Sequence, residues 1–102
     1  MKDPIDLQAQ EDEARAEQQT AEFKRKQEID DLKWLMAHAQ GRRIMARIFN
    51  RTGIRRTPFN TNGSTMAFNA GAQNVGLWLE GEVLDAAPDA YMRLLKEFAR
   101  DN

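Results

Sequence analysis

Apolar residues are sparse at the start of the chain and dense after it. The first 31 positions carry only Met1, Ile5, Leu7, Phe23 and Ile29 as large apolar residues. The other 71 positions carry 23, from Leu32 to Phe98. The core therefore belongs to about 31–102, and residues 1–30 form a polar arm. Residues 5–30 are rich in Ala, Glu, Gln, Lys and Arg, which favour helix, and Pro4 sits where its ring costs least. Opposite charges fall at helical spacing: Glu11 with Arg15, Glu22 with Lys26, Lys24 with Glu28, Lys26 with Asp30. Leu7, Ala14 and Ala21 repeat every seven residues, as do Ala9, Ala16 and Phe23. That seam is thin and mostly alanine. It fits a solvated or partly disordered helix, or a helix docked on a partner.

Length separates the arm from its domain. A straight helix over 5–30 spans about 39 Å. A compact 70-residue domain is roughly 28 Å across. A straight arm overshoots its own domain, and so projects into water or lies on another chain. A core of about 70 residues is also near the lower limit for independent folding, which favours support from a partner or a second copy.

The remainder predicts a small bundle of three to four helices. Asp30 or Asp31 is a candidate N-cap. Leu32, Leu35, Met36 and Ala39 follow on one face, Gly41 interrupts, and Ile44, Met45, Ile48 and Phe49 resume. The pattern predicts two short helices, about 31–39 and 41–52, or one kinked rod. Gly53 suits a left-handed C-terminal position. Residues 53–65 read as a loop, with Ser64 or Thr65 capping the next helix.

A helix over 66–86 puts Phe68, Ala72, Val75, Leu79 and Val83 on one stripe within about 80°. Leu77 and Leu84 lie opposite, with Trp78 between, so this helix has two apolar faces. Its three glycines, Gly71, Gly76 and Gly81, scatter around the cylinder and suggest close backbone approach to neighbours. Pro88 opens a last helix with Tyr91, Leu94, Leu95 and Phe98 on one face and Arg100 near its end. No segment alternates with period two, so the fold class is all-α. Trp34 and Trp78 are core residues by default, with an interface role as the alternative.

Charge sharpens this picture. Residues 1–31 hold 5 basic and 10 acidic side chains, and residues 32–102 hold 10 and 6, so net charges of −5 and +4 sum to the −1 of the whole. That distribution excludes a uniformly basic nucleic-acid coat. From Leu32 to Leu79 there are seven basic residues and no acid: Lys33, Arg42, Arg43, Arg47, Arg51, Arg55 and Arg56. Arg43, Arg47 and Arg51 form one stripe opposite Met45 and Phe49, and Arg55 and Arg56 extend it into the loop. Forked guanidiniums suit phosphate or carboxylate. The stripe fits DNA, the acidic arm of this or a neighbouring copy, or a solvated face with structural ion pairs. It lacks interleaved aromatics and a recognition-helix motif, which argues against sequence-specific readout.

Catalytic chemistry finds little support. The chain has no Cys, one His and one Ser. His38 lies in an apolar stretch with no second ligand or orienting carboxylate nearby in sequence, and reads as a helix-face residue. Ser64 sits in a turn context. There is no phosphate loop, dinucleotide fingerprint or metal cluster. No run approaches a membrane span, and Met1 to Pro4 do not open a secretory signal. No enzyme, cofactor, metal, membrane or small-molecule substrate is expected.

Three motifs carry a resemblance. They are Gly41-Arg42-Arg43, the run Asn69 to Leu77 with its Val75-Gly76-Leu77, and Pro88-x-x-Tyr91-x-x-Leu94-x-Lys96-Glu97. Over about 31–99 the chain resembles a family of small helical domains encoded by tailed bacteriophages and typified by a protein of a short-tailed Bordetella phage. Where the family pattern has an Arg pair after the glycine, this chain has Ala72 and Gln73. The resemblance implies a phage protein encoded among virion structural genes, without enzymatic activity. Joined to the arm and the second apolar face, it leads us to expect a minor virion protein of a short-tailed phage. It would dock on portal, tail or ejection apparatus through Leu7, Phe23, Leu77, Trp78 and Leu84. Expected partners are other virion proteins, with several copies on a symmetric ring. The expected locations are the virion and, during assembly, the host cytoplasm. The alternative is a non-specific DNA-associating protein using Arg43, Arg47, Arg51, Arg55 and Arg56.

Overall fold

The computed structural model describes the backbone of residues 3–101 and the side chains of residues 3–99. The side chain of Arg100, expected to meet the last helix pole, lies outside the described residues. So do the ends of the arm and domain at Met1, Lys2 and Asn102. Four helices follow in order, with no strand among the described residues: α1 Pro4–Ala37, α2 Ala39–Thr52, α3 Gly63–Ala86 and α4 Pro88–Asp101. The expected all-α fold, a long polar arm and a small bundle, is what forms.

The main departure is continuity. The arm and the first bundle helix are one helix of 34 residues, about 51 Å long. Asp30 and Asp31 lie inside it and cap nothing. The cap is Asp3, whose carboxylate accepts from the Ile5 backbone N–H at 3.0 Å, with Pro4 at the first helical position. No breaker stands between Pro4 and Ala37, so local propensity carries the helix through. Of the expected charge pairs, Lys26–Asp30 forms at 3.4 Å. Arg15 pairs instead with Asp12.

The chain breaks at His38, which is extended at φ −101°, ψ 137°. Gly41, expected to be the break, lies inside α2 and makes the corner possible. A Cβ there would overlap the Leu35 carbonyl. Gly53 ends α2 as expected, at φ 69°, with its N–H shared between the Phe49 and Asn50 carbonyls. Helix α3 starts earlier than expected. Asn62, rather than Ser64 or Thr65, is the N-cap, and its side chain accepts from Thr65 N–H at 3.0 Å.

The core is small: Met36 from α1, Met45 and Phe49 from α2, Val83 from α3, Tyr91 and Leu94 from α4. Phe49 and Tyr91 meet edge to face at 6.2 Å. The expected five-residue stripe on α3 is buried only toward its C-terminal end. Val83 is fully buried and Leu79 partly, whereas Phe68 and Val75 are exposed. The reason is which side of α3 is covered. Thr52 and Ile54 sit against Gly76, and the loop holds Asn69 and Gln73, while Phe68 and Val75 lie about 80–100° around the helix from Gly76 and stay exposed. Gly71 and Gly81 face open space. Both tryptophans are on the surface, Trp34 at 67% and Trp78 at 63% exposure, so the core default fails for each.

The outline follows from α1. Every residue from Asp3 to Lys24 is exposed, a projection of about 33 Å. The radius of gyration is 20.2 Å and the extents are 65 × 38 × 15 Å. A compact chain of this length has a radius of about 13 Å.

Candidate functional site

Two surfaces hold the expected site residues. The first is the outer face of α2. Met45 and Phe49 turn inward, so positions a third to a half turn away face water. Arg43, Arg47 and Arg51 are exposed there and make no ion pair or hydrogen bond among the described residues. Ile44 and Ile48 are exposed beside them, between the arginines and the core.

The other basic residues of the acid-free run divide differently. Arg42 is buried at 6% exposure. Its guanidinium pairs with Glu97 at 3.0 Å and donates to the Met36 carbonyl at 2.9 Å. Arg55 donates to the Tyr91 hydroxyl at 2.8 Å and reaches Glu80 at 3.5 Å. Arg56 donates to the Asn50 carbonyl at 2.6 Å, at the end of α2. Of the five arginines expected to bind a polyanion, three share one free face and two are tied to the fold. The acid that Arg55 meets is on α3 and the acid that Arg42 meets is on α4, neither on the arm.

The arm meets the bundle with the opposite polarity. Its Arg25 pairs with Glu82 and, at 3.8 Å, with Asp85, both on α3. The Glu82 hydrogen bond is the largest influence raising the Arg25 pKa above its usual value, followed by the one to Glu28.

The second surface is apolar. Leu77, Trp78 and Leu84 are exposed on α3, and Leu7 and Phe23 on the arm. Leu7 and Phe23 lie 16 residues apart, about 24 Å along the helix. These residues do not converge on one pocket. Trp34 adds to the exposed set, with its ring centroid 4.9 Å from that of His38. The Nδ1–H of His38 donates to the Trp34 carbonyl at 2.6 Å. A cavity of about 100 Å³ lies between the ends of α2 and α4, walled by Phe49, Ile54, Leu94, Leu95 and Phe98.

One polar cluster borders the core. The Tyr91 hydroxyl donates to Glu80, and Arg55 donates to both. Burial pushes the Tyr91 pKa up, Glu80 adds to the rise, and Arg55 opposes it. Among the described residues no three His, Asp or Glu side chains gather as a metal site needs. None of the described helices is long and apolar enough to cross a membrane.

Sequence reasoning missed the long-range contacts, of which two position the arm and the loop. The Arg25 clamp joins residues 57 positions apart, and no local spacing signals it. Gln73 donates its amide to the Gly53 and Arg56 carbonyls at 3.0 and 2.7 Å, pinning the loop to α3. It occupies a position where the resembled pattern carries Arg, and it too offers N–H groups.

The family model of the Bbp19-like phage proteins matches residues 32–96, nearly two thirds of the chain. That span runs from the end of the projecting helix through α2, α3 and most of α4, and it contains the arginine face and the exposed tryptophans. No curated protein and no solved structure matches the chain. The matched span covers more than half of the chain and most of the bundle, and the chain belongs to the Bbp19-like phage protein family.

Proposed function

We propose that this protein is a minor structural component of a short-tailed phage particle, without enzymatic activity, held there by its arm and by the outer face of α3. It would sit on portal, tail or ejection apparatus in several copies around a symmetric ring, and in the host cytoplasm during assembly. The observation that carries this reading is the arm itself. A helix of this length, exposed from Asp3 to Lys24, has no packing of its own over that stretch. Isolated helices draw little stability from propensity alone and most from tertiary contacts. The exposed Leu7 and Phe23 offer those contacts to a partner. Trp78, Leu77 and Leu84 supply a second docking area, of the residue types that anchor interfaces. Membership in a phage family supplies the setting.

The test is deletion of residues 1–24 in the phage genome, followed by quantitative peptide mass spectrometry of purified, nuclease-treated particles. The full chain is expected at a fixed ratio to the major capsid protein, and the truncated chain at a small fraction of it. Equal incorporation of the two would refute docking through the arm. Absence of the full chain from particles would refute the virion reading.

A second reading, association with DNA, is favoured by the three unpaired guanidiniums of Arg43, Arg47 and Arg51. It requires binding that falls steeply with salt and is lost when those three become Gln.

A further inference from the structure

The arginine face of α2 has a counterpart in the same chain. Asp6, Glu13 and Glu17 lie on the exposed part of α1 and pair with no cation among the described residues. At 100° per residue they fall within about 40° of one another, so they form a single acidic ridge. That ridge is about 17 Å long. Arg43, Arg47 and Arg51 form a ridge about 12 Å long. Each ridge has an apolar shoulder: Ile44 and Ile48 beside the arginines, Ile5, Ala9 and Ala16 beside the acids.

The two ridges of one molecule cannot meet. Helix α1 is unbroken from Pro4 to Ala37, and Arg25 ties it to Glu82 and Asp85 on α3. To bring Asp6 or Glu17 onto α2 the helix would have to break. The arginines therefore stay unpaired unless another molecule supplies the acids.

We infer that the acidic ridge of one copy docks on the arginine face of the next: Asp6, Glu13 and Glu17 of one chain against Arg43, Arg47 and Arg51 of its neighbour. The favoured occupant of the face is thus a second copy of this chain. The two surfaces differ, so the contact is head to tail, and repetition closes a ring or extends a filament. It combines carboxylate–guanidinium pairing with burial of Ile44 and Ile48. This inference rests on the reading of the arm as a docking element and names what it docks on.

Sedimentation velocity on the full chain tests it, over a wide concentration range at about 50 mM and about 500 mM NaCl. Concentration-dependent association is expected at low salt, at least about tenfold weaker at high salt. Two variants separate the partners: the triple change Arg43→Glu, Arg47→Glu, Arg51→Glu, and the triple change Asp6→Lys, Glu13→Lys, Glu17→Lys. All six positions are exposed, so circular dichroism should report an unchanged fold. Each variant alone should be monomeric. An equimolar mixture should associate again with one-to-one stoichiometry, as should a chain carrying all six reversals. A parent that stays monomeric overturns the inference, as does association that survives either reversal, or a mixture that fails to pair. A monomeric parent that binds duplex DNA at low salt assigns the arginines to DNA and likewise overturns it. A monomeric parent whose 1–24 deletion still empties the particle sinks this contact while leaving the docking reading intact.

Discussion

The guanidinium of Arg25 on α1 meets the carboxylate of Glu82 on α3, with Asp85 at 3.8 Å from the same group. This pair marks where the projecting part of α1 ends and the held part begins, since every described residue before it is exposed. It sets the angle of the arm more than the stability of the bundle, because Arg25 remains open to solvent. The chain has no Cys, so spin labels can be placed at will. With labels at Gln18→Cys and Asn74→Cys, Arg25→Ala is expected to broaden the distance distribution while the helical signal stays unchanged. An equally narrow distribution would show that packing alone fixes the arm.

The glycines of α3 predict opposite signs within one helix. At Gly76 an added Cβ meets Thr52 and Ile54, and at Gly81 it meets nothing. Gly76→Ala should cost about 1–3 kcal/mol through overpacking. Gly81→Ala should add about 0.5–1 kcal/mol, since it removes backbone freedom from the unfolded chain without a clash. Urea midpoints of the two variants against the parent decide this.

Arg42 and Glu97 tie α2 to α4. Arg42 is buried, so removing its partner leaves a charge short of a counterion. Glu97→Ala should lower stability by about 1–3 kcal/mol, less than for a fully buried pair because Glu97 is partly exposed. The double change Arg42→Met, Glu97→Leu should cost less than the two single changes summed. Strict additivity in urea unfolding would mean that the pair is uncoupled.

Tyr91 gives the fold an alkaline limit. Its pKa is raised in the folded state, first by burial and then by Glu80. A raised acid pKa means that the folded state keeps the proton longer than the unfolded one. The stability it contributes is complete below the unfolded value of about 10 and is lost as pH climbs through the folded value. Urea midpoints should hold to about pH 9 and fall above about pH 10. Tyr91→Phe should flatten that fall, at some loss of stability at neutral pH as its hydrogen bonds disappear. A variant that falls as steeply as the parent would place the alkaline limit elsewhere.

Trp34 and Trp78 are both largely exposed. The emission maximum of the monomeric folded chain should lie close to that of the unfolded chain. If Trp78 anchors a partner, binding should shift it to shorter wavelength, and Trp78→Ala should remove most of the shift. A strongly blue-shifted free monomer would contradict the exposure of both rings.

Some features could be read along the chain because their causes are local. Met45 and Phe49 sit four apart and are both buried; Gly53 takes the left-handed cap; Pro88 opens α4. Each depends on neighbours within one helical turn. Arg42 and Arg43 show where such reading stops. They are adjacent and identical, yet one is buried against Glu97 and the other faces water. The 100° turn between them puts Arg42 on the side of Met45 and Phe49 and Arg43 off it, and only the position of α4 says that Glu97 is what Arg42 meets there. Phe68 and Val75 show the same limit. They continue the stripe of Val83, but the loop after α2 covers the side of Asn69, Gln73 and Gly76, so both stay exposed.

Amino-acid order alone was enough to establish an all-helical chain, a polar arm too long for its domain, an arginine run without acids, and a likeness to phage proteins. The first three rest on propensity, periodicity and composition, which are short-range properties, and the likeness rests on three motifs. The packing of the helices settled the rest. It left both tryptophans in water, buried Arg42 against Glu97 and tied Arg55 to Tyr91 and Glu80. Those outcomes depend on which helix covers which face, a matter of contacts between residues tens of positions apart, for which local periodicity carries no information.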